Sequence, residues 1–387
     1  MVSSLFHRFR ASTGALCAAT LTALAAIVIG CGGGGGDGGM TGGGITTSTA
    51  SASASASASA TASAGTTATA SAGTNAGAGA GVLAPNKIYY SEQADTGISV
   101  RSIDPNGSAA SDAQFDLLPT GFEALAVNSK DNQRYFAQRT SDLANLGIYR
   151  NATVNMTGAS ELVAPTYAFV SSMQVSLDGT VLYYVAAKSG DIQPALYKLA
   201  LTPGAAPVKL DSAWTAHISP SGTFAVYTKQ VADAGPTKIF VRGLADGATP
   251  TQLTTGATFE DAPQWNKQGT RIVFGRSTDG AIYDVWSMAA NGTGLQQITD
   301  TADVSEDSPT YNQAGDMVAY VADSSDFAKK GLFRNSVAGV NQGKVPVKQD
   351  PQILPGAYWS GSNGRSRAAL AAYLASHRKD KEKPAGK

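Results

Sequence analysis

The amino-acid sequence predicts an all-β protein that folds as a six-bladed β-propeller, with four antiparallel strands in each blade. The first observation behind this prediction is a turn that recurs at Gly179, Gly222, Gly269 and Gly315, with spacings of 43, 47 and 46 residues. Four short strands in a repeat of this length are typical of a propeller blade. The second observation is a pair of complementary half-repeats, one at each end of the predicted β region.

Each repeat contains the segments expected of four strands. An apolar second strand follows the turn, as in "TVLYYVAA", "TRIVFGRS" and "DMVAYVAD". A third strand comes next, as in "ALYKLAL" and "YDVWSMAA", and a short fourth strand closes the unit, as in "PVKL" and "LQQIT". Glycine and asparagine tolerate a positive φ, so we predict a tight hairpin at each recurring turn, including the one at Asn132 in the first complete repeat.

The two ends of the β region complete each other. Residues 87–118 contain segments similar to strands two, three and four, and residues 354–361 resemble a first strand alone. We therefore predict that the C-terminal strand closes the sixth blade, so that the ring over residues 83–361 has no open sheet edge. A β-sandwich, the alternative all-β fold, requires neither a constant period nor complementary ends.

The N-terminal segment predicts export and lipid attachment. Residues 1–30 have a basic start followed by a long uncharged apolar stretch, which is typical of a signal peptide. A retained anchor helix is the alternative. Val28 to Cys31, "VIGC", resembles a bacterial lipobox, and this resemblance implies that Cys31 is acylated and becomes the mature N-terminus. Gly32 stands where Asp favours retention in the inner membrane, which points to the outer membrane in a Gram-negative cell.

Composition divides the rest of the chain. Residues 31–82 are almost entirely Gly, Ser, Ala and Thr, which predicts a disordered tether. Residues 83–361 contain 26 Asp and Glu against 20 Lys and Arg, and this acidic balance argues against a nucleic-acid partner. The tail over residues 362–387 is basic, and its pattern is compatible with a short helix or with a frayed end.

Part of the repeat resembles a known family. The pattern "ED-x-P-x-W", followed by a turn glycine and "xIVF", is similar to the repeat of TolB-type propellers, and "HISPSGTFAVY" and "QVSLDGTVLYY" retain other parts of it. Asn266, Lys267 and Gln268 depart from the family's Ser-Pro-Asp. The resemblance implies a propeller that binds peptide segments of partner envelope proteins at one end of its channel. TolB proteins have an α/β domain before the propeller, whereas the predicted tether occupies that place here.

Two acidic pairs are the candidate binding residues. Glu260-Asp261 and Glu306-Asp307 occupy equivalent places in adjacent repeats. We expect them where the fourth strand of one blade crosses to the first strand of the next, which would give one end of the channel a negative edge for a partner to contact. The favoured interpretation is that the aspartates cap the crossing loop through backbone N–H groups. Calcium binding, a shared proton and catalysis are the alternatives.

Histidine usage limits the possible chemistry. His217 is the only histidine in residues 83–361, so a metal centre with three or four histidines is excluded there. We include His217 as a candidate at the channel and weigh it against a structural role. Trp265, Tyr311 and Trp359 lie in predicted first strands, as core packing or as contact residues. No catalytic residue and no cofactor are assigned.

Together these features predict a lipid-anchored cell-envelope protein whose propeller binds a protein or peptide. The alternative is a propeller enzyme, a hydrolase or lyase acting on a carbohydrate or a lactone. Such an enzyme would need several polar groups that converge inside the channel.

Overall fold

A computed structural model describes residues 86–94, 97–119, 121–128, 130–140, 145–232, 235–350 and 352–359. These residues form six four-stranded antiparallel sheets, which confirms the predicted six-bladed β-propeller. The signal segment, the tether and the basic tail lie outside the described residues, so the predictions made for them are untested.

The strands are numbered along the chain, and each blade takes four of them. Blades 1 to 3 contain β1 (Ile88–Ala94), β2 (Gly97–Ile103), β3 (Ala113–Pro119), β4 (Phe122–Val127), β5 (Arg134–Arg139), β6 (Leu146–Asn151), β7 (Ser160–Tyr167), β8 (Phe169–Val175), β9 (Val181–Ala187), β10 (Ala195–Ala200) and β11 (Val208–Ser212). Blades 4 to 6 and the closing strand contain β12 (Thr215–Ile218), β13 (Phe224–Gln230), β14 (Thr237–Gly243), β15 (Thr251–Gln252), β16 (Phe259–Trp265), β17 (Arg271–Ser277), β18 (Asp284–Ala289), β19 (Gln296–Gln297), β20 (Val304–Tyr311), β21 (Met317–Ser324), β22 (Gly331–Ser336), β23 (Val345–Lys348) and β24 (Ile353–Trp359). The described residues also include two 3-10 turns, at Ala109–Ser111 and Phe327–Lys329.

The ring closes as the half-repeats predicted. The order of the first sheet is β24-β1-β2-β3, so the C-terminal strand supplies the innermost strand of blade 1. Ile88 pairs with Trp359 and Glu92 with Ile353 in the antiparallel register of β1 and β24. This pairing covers the edge of β1 that would otherwise be open.

The apolar core lies between neighbouring blades. Buried apolar side chains of the described residues form six clusters, and each cluster draws on two adjacent blades. The second strand of each blade has a buried aromatic ring at the same position. The six residues are Tyr90, Phe136, Tyr184, Tyr227, Phe274 and Tyr320. Because each ring packs in the seam between two blades, the seams hold the propeller together.

The recurring turns have the predicted backbone. Gly179, Gly222, Gly269 and Gly315 have φ of 76°, 70°, 69° and 82°, and Asn132 has φ of 59°. A polar side chain before each glycine accepts backbone N–H groups of the turn. Asn266 Oδ1, for example, accepts from Thr270 N at 2.8 Å and from Arg271 N at 3.0 Å. Asn266 therefore closes the turn with its own side chain, although it departs from the family's serine.

Candidate functional site

The acidic pairs lie within strands, not in the crossings that the sequence led us to expect. Glu260 and Asp261 are in β16, and Glu306 and Asp307 are in β20. All four residues are buried, with 0 to 6% of their surface exposed. Their expected place in the crossings is therefore wrong, because these carboxylates lie within strands and face protein groups, whereas their role as binding residues is untested.

A bulge explains how this sequence fits a strand. The register of β16 with β17 shifts between Asp261 and Gln264, and the register of β20 with β21 shifts at the same place. The residues after the aspartates, Ala262 and Ser308, have positive φ of 50° and 52°. A β-bulge accommodates a proline, which cannot donate to the ladder, inside a strand. Pro263 and Pro309 therefore do not end these strands.

Each aspartate accepts a hydrogen bond from the backbone of its bulge. Ala262 N donates to Asp261 Oδ1 at 2.7 Å, and Ser308 N donates to Asp307 Oδ1 at 2.6 Å. Backbone N–H groups are the partners that the capping interpretation predicted, although they belong to a bulge in the first strand. Thr215 Oγ1 of the preceding blade also donates to Asp261 Oδ1, at 3.3 Å.

Glu260 is the centre of a buried polar network between blades 4 and 5. Lys238 Nζ lies 2.9 Å from Glu260 Oε2, and both residues are almost fully buried. Arg276 Nε lies 3.3 Å from Oε1. Thr258 donates to Oε1 at 2.6 Å, and Thr254 donates to Oε2 at 3.2 Å. Two cations and two hydroxyl groups thus offset the cost of burying this carboxylate.

Glu306, between blades 5 and 6, has fewer partners than Glu260. Lys344 Nζ lies 2.7 Å from Glu306 Oε1. The other oxygen, Oε2, has no hydrogen-bond partner among the described residues. The neighbouring Asp284 has a pKa raised to about 6, first by burial and then by the negative charge of Glu306.

These contacts do not fit a calcium ion. Calcium in proteins takes six to eight oxygen ligands, whereas Lys238 and Arg276 hold the oxygens of Glu260 and Lys344 holds Glu306. In the part of the chain that the structure describes, no group of three His, Cys, Asp or Glu side chains is arranged to hold a metal ion.

His217 lies in the first strand of blade 4 and contacts the next blade. It is buried, and Trp265 N donates to its Nδ1 at 3.3 Å. Gln174 acts in the same way one blade earlier, since Ile218 N donates to Gln174 Oε1 at 2.7 Å. Gln264 occupies the equivalent place in blade 5 and is also buried. Polar side chains of the inner strands thus tie neighbouring blades together, and the sequence did not single out the two glutamines.

These buried polar groups leave the enzyme hypothesis untested. Its sequence-based criterion was a set of polar groups inside the channel, and the inner strands do contain them. The contacts of His217 and Gln174 described above are to the backbone of the next blade. These hydrogen bonds connect neighbouring blades, which is a structural role.

The candidate aromatic residues belong to the core. Trp265 packs in the cluster between blades 4 and 5, and Tyr311 packs in the cluster between blades 5 and 6. Core packing, one of their two interpretations, is therefore confirmed for both. The side chain of Trp359 is outside the described part of the structure, as is Cys31. None of the described residues forms a helix long and apolar enough to cross a membrane.

The three most exposed large apolar side chains of the described residues lie in one set of loops, which sequence reasoning missed. Ile192, Val231 and Phe327 lie in the loops between the second and third strands of blades 3, 4 and 6. They expose 85, 52 and 64% of their surface. Equivalent loops of a propeller emerge on the same face, because equivalent strands run in the same direction. We call these three side chains the loop-tip residues. Large apolar residues inside polar loops were the signal that could have identified them.

A surface cavity of about 340 Å³ lies between the fourth strand of blade 3 and the turn that precedes β15. Its acidic residues already have cationic partners. Asp211 binds Lys229 at 2.8 Å, and Asp246 binds Lys198 at 2.5 Å. The cavity lies away from the inner strands, and its charges are used within the propeller.

Comparisons with known proteins support the fold. No family model matches the sequence, and no curated protein matches it. The crystal structure of TolB from Acinetobacter baumannii is similar to the chain, with 18% identity and a TM-score of 0.51 over 66% of this chain and 62% of that one. The chain thus spans less than two thirds of that protein.

Two further structures are similar over much of the chain. A putative TolB from Agrobacterium tumefaciens shares 19% identity over 72% of this chain and 97% of that one, with a TM-score of 0.49. A puromycin hydrolase shares 12% identity over 68% of this chain and 46% of that one, also with a TM-score of 0.49. At these identities the likeness concerns the fold alone, which is a TolB-like six-bladed propeller.

Proposed function

We propose that the protein is a lipid-anchored protein of the cell envelope whose propeller binds a protein or peptide partner. The observation that carries the binding proposal is the exposure of the three loop-tip residues on one face. Burying large apolar side chains against a partner is favourable, at roughly 25 cal/mol for each Å² of apolar surface. The loop-tip residues are the three most exposed large apolar side chains of the described residues, and a partner on that face would remove them from water.

The anchoring half of the proposal rests on the N-terminal sequence. The lipobox-like "VIGC" ends the apolar segment, and the Gly/Ser/Ala/Thr-rich residues that follow would act as the tether. A flexible chain of that length spans roughly 40 Å on average, so the propeller would search for its partner close to the membrane. The TolB-like fold is consistent with an envelope location.

Lipid attachment is tested by replacing Cys31. We expect Cys31→Ala to abolish incorporation of a labelled fatty acid and to release the protein from the membrane fraction. Cys17→Ala is the matched control, because Cys17 lies inside the signal segment and should leave labelling unchanged. Labelling that persists in Cys31→Ala would refute the anchor.

Partner binding is tested at the loop-tip residues. We expect the full-length triple variant Ile192→Asp, Val231→Asp and Phe327→Asp to lose a partner that cross-links to the wild-type protein in cells and is identified by mass spectrometry. The matched control changes exposed apolar residues on the opposite face, with Phe224→Asp, Leu295→Asp and Val340→Asp. Loss of the partner in the control, or its retention in the loop-tip variant, would contradict the proposal.

A further inference from the structure

Two neighbouring seams of the propeller differ by one exchange of charge. In the seam between blades 4 and 5, Lys238 of β14 faces Glu260. The equivalent residue one blade later is Asp284 of β18. The strand registers establish this equivalence, because Lys229 pairs with Lys238 and Arg276 pairs with Asp284 at the same place of their sheets. Asp284 therefore puts an acid beside Glu306 where the preceding seam has a lysine.

The exchange leaves carboxylate oxygens without partners. Asp284 Oδ2 accepts a hydrogen bond from Gln297 Nε2 at 3.2 Å. Asp284 Oδ1 and Glu306 Oε2 are both buried and have no hydrogen-bond partner among the described residues. The backbone brings the two acids together, since Glu306 N donates to the carbonyl of Tyr283, next to Asp284, at 2.7 Å.

The other charged groups of this seam are engaged elsewhere or add negative charge. Lys344 binds Glu306 Oε1 and Thr301 Oγ1, each at 2.7 Å. Arg276, the cross-strand neighbour of Asp284, binds Glu260. The nearby backbone N–H of Thr301 lowers the pKa of Asp284, and the negative charge of Asp300 raises it by a smaller amount.

Tyr320 completes the surroundings of Glu306. Its hydroxyl is buried without a hydrogen-bond partner among the described residues. Burial and the charge of Glu306 raise the pKa of Tyr320, so the phenol stays neutral at physiological pH. Among the described residues, Lys344 is the cation that binds Glu306.

We propose that Asp284 and Glu306 form a proton-binding pair in the seam between blades 5 and 6, and that uptake of one proton tightens this seam. Protonation removes the like-charge repulsion between the two carboxylates and the cost of burying an ionised Asp284. The proposal concerns the pH response of the fold and does not depend on the proposed binding function.

The sign of the effect follows from the direction of the pKa shift. The pKa of Asp284 is raised from 3.8 to about 6 in the folded protein. The folded state therefore binds the proton more tightly than the unfolded state, so the contribution of this residue to stability is complete below pH 3.8 and is lost as the pH rises through about 6. At its steepest, the unfolding constant changes by about tenfold per pH unit for one proton.

The test is a carboxyl-carbon NMR titration of the full chain from pH 4 to 8. Carboxyl resonances are used because histidines also titrate near neutral pH. We expect one aspartate to titrate near pH 6 in the wild type, to be missing in Asp284→Asn, and to move to lower pH in Glu306→Gln. Titration of Asp284 near the ordinary value of about 4 would overturn the proposal.

Thermal unfolding provides the second measurement. We expect the midpoint temperature of Asp284→Asn to exceed that of the wild type at pH 7.5, and the difference to be smaller at pH 4.5. Asp323→Asn is the matched control, because Asp323 is an exposed acid of blade 6 that binds Lys330. An equal shift at both pH values in Asp284→Asn, or the same pH dependence in Asp323→Asn, would contradict the proposal. If Asp284→Asn does not fold, the titrations of the wild type and Glu306→Gln decide the outcome.

Discussion

The buried carboxylates of Glu260 and Glu306 are held by cations. The side chains of Glu260 and Lys238 expose 0 and 2% of their surface, so neither can recover its hydration if the other is removed. An unpaired buried charge costs several kcal/mol, whereas an exposed ion pair contributes little. Burial therefore decides what each pair contributes to stability.

A matched pair of lysine substitutions tests this difference. We expect Lys238→Met to lower the free energy of unfolding by about 3 kcal/mol, because Arg276 remains as the only cation on Glu260. Lys198→Met should cost less than about 1 kcal/mol, because its partner Asp246 is 76% exposed. Chemical denaturation measures both values, and similar losses in the two variants would contradict this account.

At the scale of single elements, the first strands and the turns that follow them determine where the polar side chains lie. Bulges in β16 and β20 keep a proline within the strand and point the acids into the seams. In blades 2 to 6 the turn after the first strand has one residue with a positive φ, and glycine supplies it in blades 3 to 6. Blade 2 uses Asn132 at the same place.

The turn of blade 5 tests this backbone requirement. The φ of Gly269 is 69°, and the nearest atom to an added Cβ is 3.8 Å away, so a substitution there is limited by the backbone and not by space. We expect Gly269→Ala to lower the free energy of unfolding by about 1 kcal/mol. Gly269→Asn should cost less, because asparagine adopts this region more readily. Equal losses for Ala and Asn in denaturant unfolding would refute the backbone explanation.

The sequence predicted the turns well and the acids poorly, for physical reasons. A positive φ restricts a turn to Gly or Asn, so the repeat of Gly179, Gly222, Gly269 and Gly315 was visible in the sequence. Glu260-Asp261 and Glu306-Asp307 were expected in the crossings, whereas they lie in strands whose bulges admit Pro263 and Pro309. The bulge that admits them depends on pairing with the next strand, which no short motif specifies. Aligning the repeats shows that Asp284 stands where the preceding blade has Lys238. Only the structure shows that this position lies beside a buried glutamate of the next blade.

At the scale of the whole molecule, closure by β24 completes the ring. The seam between blades 6 and 1 contains Ile88 and Tyr90 from blade 1, Val321 and Leu332 from blade 6, and Ile353 from β24. Removing β24 would expose the edge of β1 and part of this cluster. An open, apolar sheet edge is a template for aggregation.

Two truncations of the full chain test the closure. We expect a chain that ends at residue 352 to be destabilised and to aggregate, because it lacks β24. A chain that ends at residue 361 should keep the wild-type midpoint temperature, because it lacks only the predicted tail. Thermal unfolding and size-exclusion chromatography measure both, and a monomeric, stable chain ending at residue 352 would show that closure by β24 is not required.

The proposed function predicts that one face of this ring, the face of the loop-tip residues, meets the partner. Photo-cross-linking in cells measures this most directly, with a photoreactive residue placed at Phe327 and, in a separate strain, at Phe224 on the opposite face. We expect a specific adduct with one envelope protein from position 327 and none from position 224. Equal adducts from both positions, or an adduct from position 224 alone, would contradict it.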